Sequence, residues 1–177
     1  MATRRSRLLI LTAGAALAIS GAVPLAQRLV HADAPQTIAL QASNVQPRAV
    51  EDPTLQAASR AYARAWNDLS TALSHNDANA LNASFVGFAH DRFAAQARDQ
   101  NAAGFTTNMS AQSHHAVVEF YSIDGSSMQI RDDVQLKREI MDGGKTIATE
   151  TKTVPYIAVL TVVDEGWKVR ILQPAQP

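Results

Sequence analysis

The sequence of 177 residues contains no cysteine. Without a thiol, the chain cannot form a disulfide, use a thiolate as a nucleophile or hold a metal ion through sulfur. The sequence also lacks a phosphate-binding loop, a G-x-G-x-x-G fingerprint and a G-x-S-x-G nucleophile elbow. Nucleotide-dependent enzymes and serine hydrolases of the usual kinds are therefore unsupported.

The sequence has little clustered positive charge. The 16 basic and 16 acidic residues balance, but four arginines and no acid lie in the first 32 residues, so the remainder has four more acidic than basic residues. Binding to a phosphate backbone needs a concentrated basic surface. We therefore expect no nucleic-acid partner.

What is present is enough apolar material for one core. Hydrophobic residues make up 46% of the chain and charged residues 18%, which is typical of a globular protein. The length fits one domain of ordinary size with an appendage.

The amino terminus has the pattern of an export signal. A cationic cluster at Arg4, Arg5 and Arg7 precedes an uncharged run, Leu8–Ala26. Thr3–Ser6 is similar to a twin-arginine signal, so both the general secretory route and the twin-arginine route stay open. We expect the body of the protein to be exported, in a periplasmic or other extracytoplasmic location.

Residues 1–32 are either a cleaved signal peptide or a membrane anchor. The 19-residue run nearly reaches the roughly 20 residues that span a bilayer. Gly14, Gly21 and Pro24 weaken such a helix, and Val30 and Ala32 suit a cleavage site before Asp33. Residues 33–54, rich in Pro, Gln, Ser and Ala, read as a linker, and residues 55–177 as the folded domain.

Three helices are predicted at the start of the domain. Asp52-Pro53 is a helix start, and apolar residues then recur every three or four positions to about Ser74. Asn76 or Asp77 can cap a second, shorter helix that carries Leu81 and Phe85. A third helix is predicted from about Ala89 to Ala103, ending at Gly104.

From His114 onward the apolar period changes from 3.6 to 2, which predicts strands. Turn sequences at Asp124-Gly125, Asp142–Lys145 and Asp164–Gly166 separate them. Helices followed by strands indicate an α+β fold with an antiparallel sheet whose last strand carries Trp167.

Two stretches, "AYARAWNDLSTALSHNDANAL" (Ala61–Leu81) and "YIAVLTVVDEGWKVRIL" (Tyr156–Leu172), give the chain a resemblance to the nuclear transport factor 2-like superfamily, including exported SnoaL-like bacterial members. The resemblance covers about Leu55 to Pro174. It implies a cone-shaped α+β fold, in which three N-terminal helices pack on a curved, mainly antiparallel β-sheet. It also implies a cavity inside the cone and pairing of two copies through the sheet.

Enzymes of this fold that resemble SnoaL place an Asp inside the cone with a His or Tyr, so the resemblance makes His90, Asp91 and Tyr62 candidate catalytic residues. Neighbouring residues on a helix project about 100° apart, however, and His90 and Asp91 cannot both face one pocket centre. His114 and His115 point to opposite faces of a strand and cannot bind one metal ion together. We expect no metal and no cofactor.

Four residues are candidates for lining a ligand pocket: Tyr62, Trp66, Arg138 and Trp167. The aromatic residues at helical spacing fit a core equally well. Arg138 lies on the apolar side of its strand, where it reaches solvent, pairs with Glu150 or meets a ligand carboxylate.

The sequence therefore favours an exported or membrane-tethered cell-envelope domain that binds a ligand or takes part in protein assembly and is not a catalyst. Its expected partner is a small apolar or planar ligand, an envelope protein or a second copy of the chain. The alternative is a small SnoaL-like lyase or isomerase with a pocket Asp or His as general base.

Overall fold

The computed structural model describes residues 37–164 and 166–176. The predicted signal peptide or anchor, residues 1–32, lies outside this range. Within the described residues, no helix combines the length and the apolar character needed to cross a bilayer.

The described chain has two α-helices and six strands. The helices are α1 (Asp52–His75) and α2 (Gly87–Ala103), joined through a 3-10 helix, Ala78–Leu81. The strands are β1 (Leu40–Gln41), β2 (Gln46–Pro47), β3 (Phe105–Tyr121), β4 (Ser127–Asp142), β5 (Lys145–Val163) and β6 (Gly166–Pro174). The predicted α+β class is therefore confirmed.

Helix α1 begins and ends at local signals in the sequence. Glu51 has the extended conformation of an N-cap, Pro53 lies in the first turn, and Asn76 ends the helix in the left-handed region with φ of 53°. One face of α1 is buried: Ala58, Ala61, Tyr62, Ala63, Ala65, Trp66, Leu69, Ala72 and Leu73. This apolar stripe attaches α1 to the sheet.

The second of the three predicted helices does not form, and this part of the prediction was wrong. Asp77 does act as a cap, accepting a hydrogen bond from the Asn79 N–H at 2.9 Å, but it caps only the four-residue 3-10 helix. The next residues are taken up by the sheet, because the backbone groups of Ser84 and Val86 exchange hydrogen bonds with Val169 at 2.8 and 3.0 Å. Too few residues remain for another α-helix.

The sheet is mixed and curved. Its order is β1-β3-β4-β5-β6, with β2 also paired to β3. The long strands β3 to β6 are antiparallel, whereas β1 and β2 run parallel to β3. Register shifts interrupt all three long pairings, and such bulges bend strands and increase their twist. The bend brings the sheet around α1.

The segment predicted to be a linker, residues 33–54, contributes structure from residue 37 onward. It supplies β1 and β2, and its side chains Ile38, Leu40 and Val45 are between 2% and 6% exposed. These residues belong to the single apolar core that includes α1, α2 and the inner face of the sheet.

Candidate functional site

A cluster of three polar side chains lies inside the core, between α1 and the sheet. The Tyr62 hydroxyl donates to Asp132 Oδ2 at 3.0 Å, and His114 Nδ1 lies 2.6 Å from the same oxygen. The side chain of Asp132 is fully buried, and that of His114 is 5% exposed. Tyr62 is also fully buried. A carboxylate with two donors at one oxygen is a compact acid–base group.

Strand alternation positions this cluster. Asp132 has the same parity on β4 as Ile130 and Val134, both fully buried, so its side chain points inward. His114 shares its face of β3 with the buried Ala116. Because Ala116 is the cross-strand partner of Asp132, His114 is its diagonal neighbour.

Burial and the charge of Asp132 affect the protonation of the cluster. Burial, and then the negative charge of Asp132, raises the pKa of Tyr62 well above its ordinary value, so the phenol stays protonated around neutral pH. Within the described part of the chain, three buried polar atoms have no hydrogen-bond partner: Trp66 Nε1, His114 Nε2 and Asp132 Oδ1. Two of these atoms belong to the cluster, and the third belongs to Trp66, whose ring contacts His114.

Aromatic rings seal the cluster on one side. The Trp66 ring lies 5.3 Å from the His114 ring and 5.3 Å from the Tyr156 ring, in edge-to-face geometry. Tyr156 is the cross-strand partner of Asp132 on β5. Trp66 and Tyr156 are therefore both direct neighbours of the polar cluster.

Tyr156 also lines a cavity of about 280 Å³ at the mouth of the cone, between the two helices and strands β3 to β6. Its volume is near the lower limit of roughly 300–1,000 Å³ that is usual for small-molecule sites. Its apolar walls are Leu69, Leu73, Phe93, Met109, Leu136, Val154, Tyr156 and Pro174.

The rim of this cavity is basic. Its lining within the described residues includes Arg92, Arg138 and Lys152 and no acidic residue. Just outside the lining, Glu150 contacts Arg138 at 3.1 Å and Lys152 at 2.9 Å. The pairing of Arg138 with Glu150 is one of the alternatives that the strand pattern left open.

The structure does not bring the predicted pocket residues together. Arg138 lines the cavity, whereas Tyr62 and Trp66 are buried below it. Trp167 is half-buried and contacts Tyr121, with ring centroids 6.4 Å apart. Only one of the four predicted residues therefore has access to a ligand in this cavity.

The predicted pair His90 and Asp91 lies on the surface of α2. Their side chains are 29% and 82% exposed and 3.2 Å apart, and His90 Nε2 also contacts Asn82 Oδ1 at 2.9 Å. Of the three candidate catalytic residues, only Tyr62 contacts a buried carboxylate, and that carboxylate belongs to Asp132.

Sequence reasoning did not identify Asp132 or the contact it makes with His114. The signal was present, because the alternation that predicts Val134 and Leu136 as inward-facing also places Asp132 on that face. The distance of 18 residues between His114 and Asp132 gave no local spacing to recognise. No group of three or more His, Asp or Glu residues able to hold a metal ion occurs in residues 37–164 and 166–176.

No protein-family model and no curated protein matches the chain. The crystal structure of the intermembrane space region of the chloroplast protein ARC6 matches with a TM-score of 0.60 at 14% identity, covering 74% of this chain and all of that one. LinA matches with a TM-score of 0.49 at 14% identity, over 70% of this chain and 88% of LinA. A putative dehydratase of the NTF2-like family from Streptomyces avermitilis matches with a TM-score of 0.45 at 12% identity, over 72% of this chain and all of that chain.

Identities this low establish a shared fold and no shared activity. The curved sheet around a long first helix, observed here, is the architecture that the sequence resemblance implied. That resemblance is confirmed at the level of the fold: this chain has the nuclear transport factor 2-like fold.

Proposed function

We propose that this chain is a cell-envelope domain, exported or tethered to the membrane through residues 1–32, that binds a small ligand at the mouth of its cone. Two observations support the location. The amino terminus has the sequence pattern of an export signal, and the region of ARC6 that shares the fold is described as an intermembrane space region.

The cavity is the observation that carries the binding proposal. It combines apolar walls from both helices and the sheet with a few polar groups, which are the basic side chains of the rim, Gln96 and the Tyr156 hydroxyl. Concave apolar sites with a few polar groups are the usual form of small-molecule sites. In the polar cluster, by contrast, Tyr62 and Asp132 are fully buried, so a ligand in the cavity does not contact them.

A fluorescence titration with Nile red, a neutral apolar dye, tests this proposal. Val154→Trp places a large ring at the half-buried cavity wall and should abolish dye binding. Val162→Trp adds the same ring to the same strand at a position 41% exposed and outside the cavity lining, and it should bind like wild type. Absence of binding to wild type, or equal binding by Val154→Trp, would overturn the proposal.

A second candidate function is a lyase or isomerase that uses Asp132 as a general base. The contacts of Tyr62 and His114 with one buried carboxylate oxygen favour it, because such environments tune proton transfer. Because Asp132 is fully buried, side chains around it would have to move for a substrate to reach this carboxylate.

Hydrogen–deuterium exchange at acidic carbon positions separates the two functions. If the chain is such an enzyme, wild type should accelerate this exchange in a panel of hydroxy ketones, as followed by NMR. Asp132→Asn should then abolish the acceleration. The binding proposal expects no acceleration by either protein.

A further inference from the structure

We propose that the ligand of this cavity is an amphipathic carboxylate whose acid group replaces Glu150 as the partner of Arg138 and Lys152. The inference rests on the proposed binding function and adds the chemical class of the ligand. Charge complementarity at the rim is its basis.

The rim has more positive charge than the protein neutralises. Glu150 is the one carboxylate that contacts both Arg138 and Lys152 within the described chain. Arg92, the third basic residue, has no acidic partner there. It donates to the Leu172 carbonyl at 3.2 Å and lies over the Phe93 ring at 5.3 Å.

Two of the three basic groups act on the same cavity wall. Arg92 and Arg138 are both close enough to the Tyr156 hydroxyl to oppose the increase in its pKa that burial causes. Tyr156 forms part of the cavity wall, so the positive potential extends from the rim into the cavity. An anionic group bound at the rim would be attracted by all three side chains.

Glu150 is held weakly enough to be displaced. The side chains of Arg138 and Glu150 are each 45% exposed and that of Lys152 is 51% exposed. Ion pairs with this exposure contribute little to stability, because water screens them and both side chains lose freedom. Glu150 lies directly across from Arg138 in the β4–β5 pairing, so an incoming carboxylate competes with it for the same donors.

The apolar walls define the rest of the ligand. Eight residues with apolar or aromatic side chains line the cavity beside the basic rim, and one of them, Tyr156, also carries a hydroxyl group. A molecule with a carboxylate at one end and a short hydrocarbon body would place its charge at the rim and its body against these walls. Decanoate and decanol form a matched pair of probes because they differ only in the head group.

Competition with bound Nile red measures the affinities for decanoate and for decanol. We expect wild type to bind decanoate about twofold to fivefold more tightly than decanol, since ionic contacts with donors this exposed are weak. Arg138→Gln combined with Lys152→Gln should lower the decanoate affinity to the decanol value and leave decanol unchanged. Arg131→Gln removes a guanidinium that is 50% exposed and paired with Glu119, away from the cavity, and should leave both affinities unchanged.

The Glu150→Gln variant tests the displacement itself. Removal of the competing carboxylate should raise the decanoate affinity by about twofold to fivefold without changing that for decanol. An unchanged or reduced decanoate affinity in this variant overturns the displacement. Equal affinities of wild type for decanoate and decanol overturn the anion inference and leave the binding function standing, whereas failure of both probes and of Nile red overturns both.

Discussion

At the scale of single residues, Asp132 stands out as the one buried charged residue of the described chain. A fully buried carboxylate is costly unless hydrogen bonds compensate it, and here Tyr62 and His114 both contact one oxygen. The other oxygen has no partner among the described residues. Substitution of Asp132 therefore tests how much its hydrogen bonds contribute to stability.

Asp132→Ala should lower the free energy of unfolding by about 3 kcal/mol, because it leaves the Tyr62 hydroxyl and the His114 ring buried without their acceptor. Chemical denaturation measures this change. Asp133→Ala is the matched control: Asp133 is adjacent but exposed on the opposite face, and its loss should change stability by less than about 0.5 kcal/mol. Equal effects of the two substitutions would contradict the structural role of Asp132.

Tyr62 should make stability depend on pH in the alkaline range. Its pKa is raised in the folded state, so the unfolded chain loses the phenol proton first, from about pH 10, and the free energy of unfolding falls as the pH rises further. One such group contributes a slope of up to about 1.4 kcal/mol per pH unit. Denaturation of wild type and Tyr62→Phe at several alkaline pH values should show a shallower decline in the variant, and identical slopes would refute the assignment.

At the scale of elements, the helix ends follow local sequence chemistry. Gly104 ends α2 with φ of 78°, and its N–H bonds to the carbonyls of Gln100 and Asn101. The inward or outward orientation of strand side chains depends less on local sequence, because bulges alter which side chains face inward. In β6 the register shift places both Val169 and Leu172 in the core, so a strict alternation that pairs Val169 with Ile171 does not hold.

Gly104→Ala should lower the free energy of unfolding by about 1 kcal/mol. No atom lies within 4 Å of the added Cβ, so the cost comes only from the left-handed backbone. Gly166→Ala is the control, since Gly166 has no positive φ and its new Cβ would meet the Val163 carbonyl oxygen at an ordinary 3.8 Å. Thermal denaturation should show a lower melting temperature for the first variant alone.

At the scale of the whole molecule, the fold is a curved sheet that covers α1 and receives additional strands from the preceding segment. Residues 37–51 bury three apolar side chains in the common core, although their composition is that of a linker. Composition did not reveal this contribution because short strands need only a few inward-facing residues.

Ile38→Ala and Leu40→Ala should each lower the free energy of unfolding by about 2–4 kcal/mol, as expected for loss of a large buried side chain. Ile123→Ala, at a position 77% exposed, should have little effect. Urea titrations of the three variants test this difference. If all three variants matched wild type, residues 37–51 would be a loosely attached linker.

The sequence by itself determined the elements that depend on near neighbours: the start and end of α1, the stop of α2 at Gly104 and the α+β class. Each follows from caps, turn residues or apolar period within a few positions. The change to strand periodicity was predicted at His114, whereas β3 already begins at Phe105. The same alternation predicts that Asp132 points inward. It does not predict which side chains form hydrogen bonds with this carboxylate.

Only the tertiary structure decided which groups meet. The contact between His114 and Asp132 depends on the register of β3 against β4, and the cavity with its basic rim exists because the bent sheet and both helices leave space between them. The short second helix was lost for the same reason, since Ser84 and Val86 bond to β6. Register, curvature and unfilled volume arise from contacts between distant segments, and no local pattern encodes them.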